Sequence, residues 1–342
     1  AQAFLKIMLP SGQCSALPML CPILLNFMTK ICKINHPILI AIPFPIGAAF
    51  IIGKPGTAGC EGSGTGLNTR YYPPGFIFDV AGCSIFAKDD AELKFLLGLT
   101  NSKPARKLLE AISPTLNFEA GHLAVLPVIR EHEAEVVALV DALIGLARED
   151  WDSFETSWNF RVHSLMKWRG QGLPEGWRSL RHVWRERVDN VQSLENELNR
   201  IFCGLYGMDC EPVSSHEITL NCNPLHRYRR STPESELESR LRVDTMKEFI
   251  SYGVGCIFGR YGEGKQKGMV VPITGGRYFH DDLAGRFREF LSETFGESGG
   301  ARAEAFLEEV LGKDLRRYFL RDFYRDHVQM YHRRPIYWLF SS

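Results

Sequence analysis

Guanidinium groups interleaved with aromatic rings are the chemistry this sequence offers most plainly. Between 161 and 187 it sets Arg161, Lys167, Arg169, Arg178, Arg181, Arg185 and Arg187 against only Glu175 and Glu186, with Trp168, Trp177 and Trp184 among them. A second such stretch runs through Arg316, Arg317, Tyr318, Arg321, Tyr324, Arg325, Tyr331, His332, Arg333 and Arg334, partly offset by Asp314, Asp322 and Asp326. Guanidiniums grip phosphate oxygens and guanine edges, and flat rings stack on exposed bases. The same pattern also suits tryptophans that hold helices together, with solvated arginines paired to the acidic 131–155 region. Both readings stay open at this level.

Other chemistries are absent or faint. No glycine-rich loop ends in Gly-Lys-Ser/Thr, so amides and an ammonium do not meet a nucleotide's phosphates. Gly62-Ser63-Gly64-Thr65-Gly66 lacks the lysine, and Gly253-Val254-Gly255-Cys256-Ile257-Phe258-Gly259 has the wrong spacing for a dinucleotide turn. Each reads as a hairpin or linker. Cys210, His216, Cys222 and His226 could supply thiolate and imidazole to zinc, but match no standard spacing and read as ordinary buried cysteines and surface histidines. There is no Gly-x-Ser-x-Gly nucleophile turn, and Glu131/Glu133 reads as a solvated helix start.

The frame that must position these groups is large enough for two or three domains: 342 residues, 45% hydrophobic and 23% charged. Forty Lys+Arg balance forty Asp+Glu, which excludes a uniformly basic coat and an acidic tail while leaving room for local basic faces. Nine cysteines, an odd number with no CxxC pair, point away from a disulfide scaffold and toward a reducing cytoplasm. The apolar run 37–52 is short and broken by Pro37, Pro43 and Pro45, so no membrane span and no signal peptide are read. The chain begins at Ala1, which reads as a fragment or a processed product.

Residues 1–60 contain no Asp or Glu and only Lys6, Lys30, Lys33 and Lys54 as cations. Such a segment is either a piece of a larger core or codons read in the wrong frame, and we treat 1–66 as a separate atypical segment. From 67 the pattern becomes that of an ordinary folded protein. Phe76–Val80 and 84–86 read as strands, and Asp89 or Asp90 caps a helix over 91–99. Asn101-Ser102 breaks it and Pro104 restarts a helix through 112. Helical spacing of apolar residues follows over 131–148 and 188–202, and again over 281–295, 301–311 and 315–332. The expected class is α+β: a mixed region over 67–160, a helical Arg/Trp-rich region over 161–240 and a helical domain over 241–342.

Several long motifs resemble the C-terminal part of the PglX family, adenine-specific DNA methyltransferases of BREX phage-defence systems. They are Arg70-Tyr71-Tyr72-Pro73-Pro74-Gly75-Phe76-Ile77-Phe78-Asp79 with 82–86; Leu96-Leu97-Gly98-Leu99-Thr100-Asn101-Ser102-Lys103; and Ser113-Pro114-Thr115-Leu116-Asn117-Phe118-Glu119-Ala120-Gly121, the region closing on Leu126-Pro127-Val128. Trp151-Asp152-Ser153-Phe154-Glu155-Thr156-Ser157-Trp158 resembles the family's junction, and 252–261 with 322–340 its C-terminal domain. The resemblance implies a target-recognition region that reads duplex DNA for methyl transfer from S-adenosylmethionine to a flipped adenine. It also implies a glycine-rich cofactor loop and an Asn-Pro-Pro-Tyr motif, and this chain has neither; Asn223-Pro224-Leu225-His226 lacks the second proline and the aromatic.

The expectation is therefore a truncated PglX-like protein without its own methyl-transfer activity. Its DNA-contact candidates are Arg70, Tyr71 and Tyr72 at the opening of the recognition region, and Lys103 and Arg106 at a helix start whose amides also attract phosphate. Trp168, Arg169, Arg178 and Arg181 complete the set as a backbone clamp. No catalytic or metal-binding residue is assigned, and no cofactor is expected in this chain, S-adenosylmethionine belonging to the intact family. The alternatives are a module that docks other BREX components through its Trp-rich face, and a pseudogene product without function.

Overall fold

The computed structural model describes residues 48–51, 69–72, 84–112, 120–228, 233–261, 273 and 282–337. Among them helix predominates and strand is sparse, which agrees with the α+β class in its coarse form. Two compact units form, one from 1–145 with 192–214, the other from 146–191 with 215–342.

In the first unit, β1 (Ala48–Ile51) is the middle strand of a three-stranded antiparallel sheet, flanked by β2 (Thr69–Tyr72) and β3 (Ser84–Ile85). Phe50 lies opposite Arg70 and Ala49 opposite Ile85. The strand read over Phe76–Val80 and the glycine run at 62–66 lie outside the described residues. α1 (Asp90–Asn101) starts where the sequence places it, because the Asp89 carboxylate accepts the Glu92 amide at 2.8 Å. α2 (Lys103–Ile112), α3 (Ala120–Ala124) and α4 (Glu133–Asp152) follow, the last turns of α4, from 146 on, belonging to the second unit. Leu93, Phe95, Leu96, Leu97 and Leu99 of α1 bury against Leu109, Val136, Val140, Leu198 and Phe202. Phe95 meets Phe202 edge-on at 5.8 Å.

A 3₁₀ helix (Ser164–Gln171) precedes α5 (Leu173–Tyr206), whose first part belongs to the second unit and last part to the first. α6 (Pro224–Arg227), α7 (Leu237–Ile257), α8 (Leu283–Phe295), α9 (Glu297–Leu311), α10 (Leu315–Arg321) and α11 (Phe323–Met330) complete the second unit. Its core joins Leu173, Leu180, Leu241, Phe249, Ile250, Phe287, Leu291, Leu307 and Phe319. Asp282 caps α8 by accepting the Gly285 amide at 2.8 Å. The helix expected over 315–332 is two helices. Asp322 interrupts it, its carboxylate held by Lys313 at 2.7 Å and Arg325 at 2.6 Å.

One expectation is overturned. Gly253 and Gly255 lie inside α7, not in a hairpin or linker. A Cβ on Gly253 would sit 2.6 Å from the Phe287 ring and 2.7 Å from Phe290, and one on Gly255 would run into the Tyr261 ring. The glycines admit aromatic rings against the helix backbone, a close-approach role that no local pattern distinguishes from a turn. Among the described residues no helix is long and apolar enough to cross a membrane.

Candidate nucleic-acid interface

The first unit carries the recognition-region candidates. β2 is tied to the end of α1 from both sides: the Thr69 amide donates to Asn101 Oδ1 and Asn101 Nδ2 donates to the Thr69 carbonyl, each at 3.0 Å. Strand alternation then separates the three candidates. Tyr71 faces the core and reaches Asp90 through its hydroxyl at 3.4 Å. Arg70 and Tyr72 share the other face, where burial raises the Tyr72 phenol and the Arg70 charge opposes it.

Lys103 and Arg106 begin α2, but the amides there are already taken. Asn199 Oδ1 accepts the Lys103 amide at 2.7 Å, Pro104 has none, Ser102 Oγ accepts from Ala105 at 3.3 Å and the Ser102 carbonyl accepts from Arg106 at 3.1 Å. A phosphate contact at this helix start would have to come from side chains. The Lys103 ammonium donates to the Pro212 carbonyl at 3.0 Å and Lys107 to that of Asp209 at 2.7 Å. The Arg106 guanidinium is half-buried.

The clamp candidates lie in the second unit and divide by burial. Trp168 is half-buried at a kink of the 3₁₀ helix, and Arg169 beside it is exposed. Trp177 and Trp184 are buried and meet edge-on at 6.0 Å, with Phe154 stacked on Trp184 at 6.1 Å. These two rings hold α5 in its unit and are largely withdrawn from solvent. Arg181 is 8% exposed and its Nε donates to Glu238 at 2.8 Å. That hydrogen bond holds the Glu238 carboxyl below its usual range. Arg187 reaches Glu149 at 3.5 Å, the kind of pair the acidic 131–155 region suggested.

Arg178 is exposed and lines a groove of about 510 Å³ with Pro174, Trp177, Arg242, Arg302 and Glu309. A neighbouring groove continues past Arg178 and Arg242 to His182, Arg185 and Glu238. Arg302 pairs with Glu175 at 3.0 Å, while Arg178 and Arg242 have no ion pair among the described residues. Arg242 and Arg302 were not legible as site residues, because both lie far from the 161–187 stretch in sequence and only α5, α7 and α9 together bring them to Arg178.

The C-terminal arginines divide likewise. Arg316 pairs with the buried Asp282, and Arg325 with Asp322, whereas Arg317, Arg321, Arg333 and Arg334 are exposed. Tyr318 is buried and donates to Asp326 at 3.2 Å. Trp151 and Trp158, in the family-like junction, are 55% and 57% exposed. No group of three His, Cys, Asp or Glu suited to a metal forms among the described residues. Cys222 is buried, and its amide and that of Asn221 donate to the Asp150 carboxylate at 3.1 and 2.6 Å.

No protein-family profile matches the chain. It is similar to the adenine-specific methyltransferase PglX of Lacticaseibacillus casei (strain Zhang), 34% identical over 314 residues. It is also similar to the adenine-specific methyltransferase BrxX of Escherichia coli O9:H4 (strain HS), 32% identical over 323 residues. These matches take in 81% and 82% of this chain, which spans about a quarter of each relative's length, 25% and 27%.

Proposed function

We propose, since the chain belongs to the PglX family of adenine-specific methyltransferases over the quarter of their length it spans, that it is the DNA target-recognition and C-terminal portion of such an enzyme in a cytoplasmic phage-defence system. On this reading it selects the site and grips the duplex. Methyl transfer from S-adenosylmethionine to a flipped adenine would need a cofactor loop and an Asn-Pro-Pro-Tyr motif, which these 342 residues do not contain. The chain by itself then methylates nothing, and methylation of DNA by purified chain would refute that half of the reading.

The observation that carries DNA contact is the arginine groove. Arg178, Arg242 and Arg302 converge on a surface whose lining carries one acid, Glu309, and backbone phosphates are the polyanion that such spacing of guanidiniums suits. Arg169 and Trp168 would extend the contact from the 3₁₀ helix. In the first unit Arg70, Tyr72, Lys103 and Arg106 remain the candidates for the recognition face, with Tyr71 positioning the strand of Arg70 and Tyr72. Arg181 acts on this reading by anchoring Glu238 and the groove wall rather than by touching phosphate.

The test is the salt dependence of duplex binding. Each phosphate contact removed lowers the slope of log affinity against log salt by about 0.9, so Arg178→Ala with Arg242→Ala lowers it by about 2, equally for all sequences. An unchanged slope removes the groove from the account. A second reading, a docking module for other BREX components, is favoured by the exposed Trp151 and Trp158, since tryptophan commonly anchors protein interfaces. Salt-insensitive binding to a protein partner, lost on Trp151→Ala, would favour it.

A further inference from the structure

The arginine groove of the second unit contains a side chain that backbone phosphates do not use. On α9, Arg302, Phe306 and Glu309 stand at i, i+4 and i+7, which puts them on one helix face. α5 adds Arg178 and α7 adds Arg242 to the same groove. Phe306 is half-buried there. Every other phenylalanine described in the second unit meets another aromatic ring: Phe154 meets Trp184, Phe160 meets Tyr252, Phe258 meets Tyr337, and the rest meet one another. Phe306 has no ring partner among the described residues, and part of its surface is left to the groove.

A groove that only gripped a duplex backbone would have no use for a phenyl ring. A paired duplex presents hydrated phosphates and sugars, and its base faces are stacked inside. An unpaired nucleotide presents both a phosphate and a π-face. Cationic grooves with an aromatic side chain are how single strands are held. The groove's volume of about 510 Å³ is also in the range that takes a compact organic group.

We infer that this groove is a stacking site for an unpaired nucleotide of a DNA strand, with the base on the Phe306 ring and the flanking phosphates on Arg178, Arg242 and Arg302. The inference rests on the proposed DNA contact and names the form of DNA the groove takes. α9 sets the direction. Arg302 lies one turn before Phe306 and Glu309 nearly one turn after it, so the phosphates lie toward Arg302 and the base toward Glu309. Arg178 and Arg242 have no ion pair among the described residues, whereas Arg302 shares its charge with Glu175 at 3.0 Å. Every base has a π-face, so the site does not select sequence.

The experiment measures the affinity of purified chain, by fluorescence anisotropy, for an end-labelled perfect duplex and for the same duplex with one unpaired thymidine at its centre. The bulged duplex should bind about 5- to 150-fold more tightly, the worth of one stacked base. Phe306→Ala should abolish that advantage and leave the perfect duplex unchanged, while Phe306→Tyr keeps it. Phe306→Leu, which retains apolar bulk without the π-face, should lose most of it and guards against a folding defect. Equal affinity of the parent chain for both duplexes, or an advantage that survives Phe306→Ala and Phe306→Leu, would overturn the inference. So would a competitor test in which thymidine monophosphate, or a peptide of alternating glutamate and phenylalanine, displaces the bulged duplex as well as a thymidine octamer does. The two readings fail separately. A salt slope that falls on Arg178→Ala with Arg242→Ala, without any bulge advantage, overturns the stacking site and spares the duplex grip. A Phe306-dependent bulge advantage with an unchanged slope on the perfect duplex does the reverse.

Discussion

Asp150 offers the sharpest test of how the second unit is held together. Its carboxylate is 1% exposed and accepts two backbone amides, Asn221 at 2.6 Å and Cys222 at 3.1 Å. It thereby fastens the loop before α6 to the end of α4. Hydrogen bonds to a charged acceptor contribute about 1.5–3 kcal/mol each, and amides left buried without a partner add to the loss. Against this, Asp150→Ala removes a buried charge and its desolvation cost. The balance is a loss of about 3 kcal/mol. Asp150→Asn keeps one carbonyl acceptor and should lose about half of that. Among the described residues, Trp151, Trp158, Trp168, Trp177 and Trp184 all belong to the second unit, so tryptophan fluorescence during urea unfolding reads that unit. At a slope of about 2 kcal/mol per molar urea, the alanine variant's midpoint should fall by about 1.5 M. A fall below about 0.3 M, or an asparagine variant as unstable as alanine, would refute the assignment of the carboxylate as the loop's anchor.

Burial lowers the His163 imidazole to about 3, among Phe249 and Tyr252, so the folded state holds it neutral. Its contribution is complete above the ordinary histidine value and declines as pH falls from 6.5 toward 3, costing about 2 kcal/mol by pH 5. His163→Gln should remove that share of the difference between urea midpoints at pH 7 and pH 5; an unaltered difference would contradict it. Gly253→Ala forces a methyl against Phe287 and Phe290 and should cost a net of about 1–2 kcal/mol after its helix-propensity gain, visible as a lower urea midpoint by tryptophan fluorescence. Asn101→Ala cuts both bonds to Thr69 and should speed hydrogen exchange of the β2 amides at least several-fold while leaving the Phe95–Phe202 core protected; unchanged exchange would sink the tie.

Much of the helical frame is readable from residues, because it depends on neighbours in sequence. Asp89 before an apolar helix, the Asn101-Ser102 break, and the apolar spacing over 131–148 and 188–202 each specify an element through local hydrogen bonds or a 3.6-residue period. What failed was also specific. A glycine inside a helix and a glycine in a turn look alike until the ring that needs the space is known, and Gly253 waits for Phe287 from thirty-odd residues on. Asp322 looks like any helical acid until Lys313 and Arg325 converge on it.

The candidate site divides along the same line. The sequence by itself determined that arginine and tryptophan are concentrated between 161 and 187, that the motifs of an adenine-methyltransferase family run from Arg70 onward, and that the residues for methyl transfer are missing from this stretch. Composition and motif are properties of the chain. Which guanidinium is free is a property of its surroundings. Only the tertiary structure could bury Trp177 and Trp184, spend Arg181 on Glu238, fill the amides ahead of Lys103 and gather Arg178, Arg242 and Arg302 around one groove. Burial and ion pairing are decided by residues distant in sequence, so identical side chains in one basic stretch end as core, anchor or open surface.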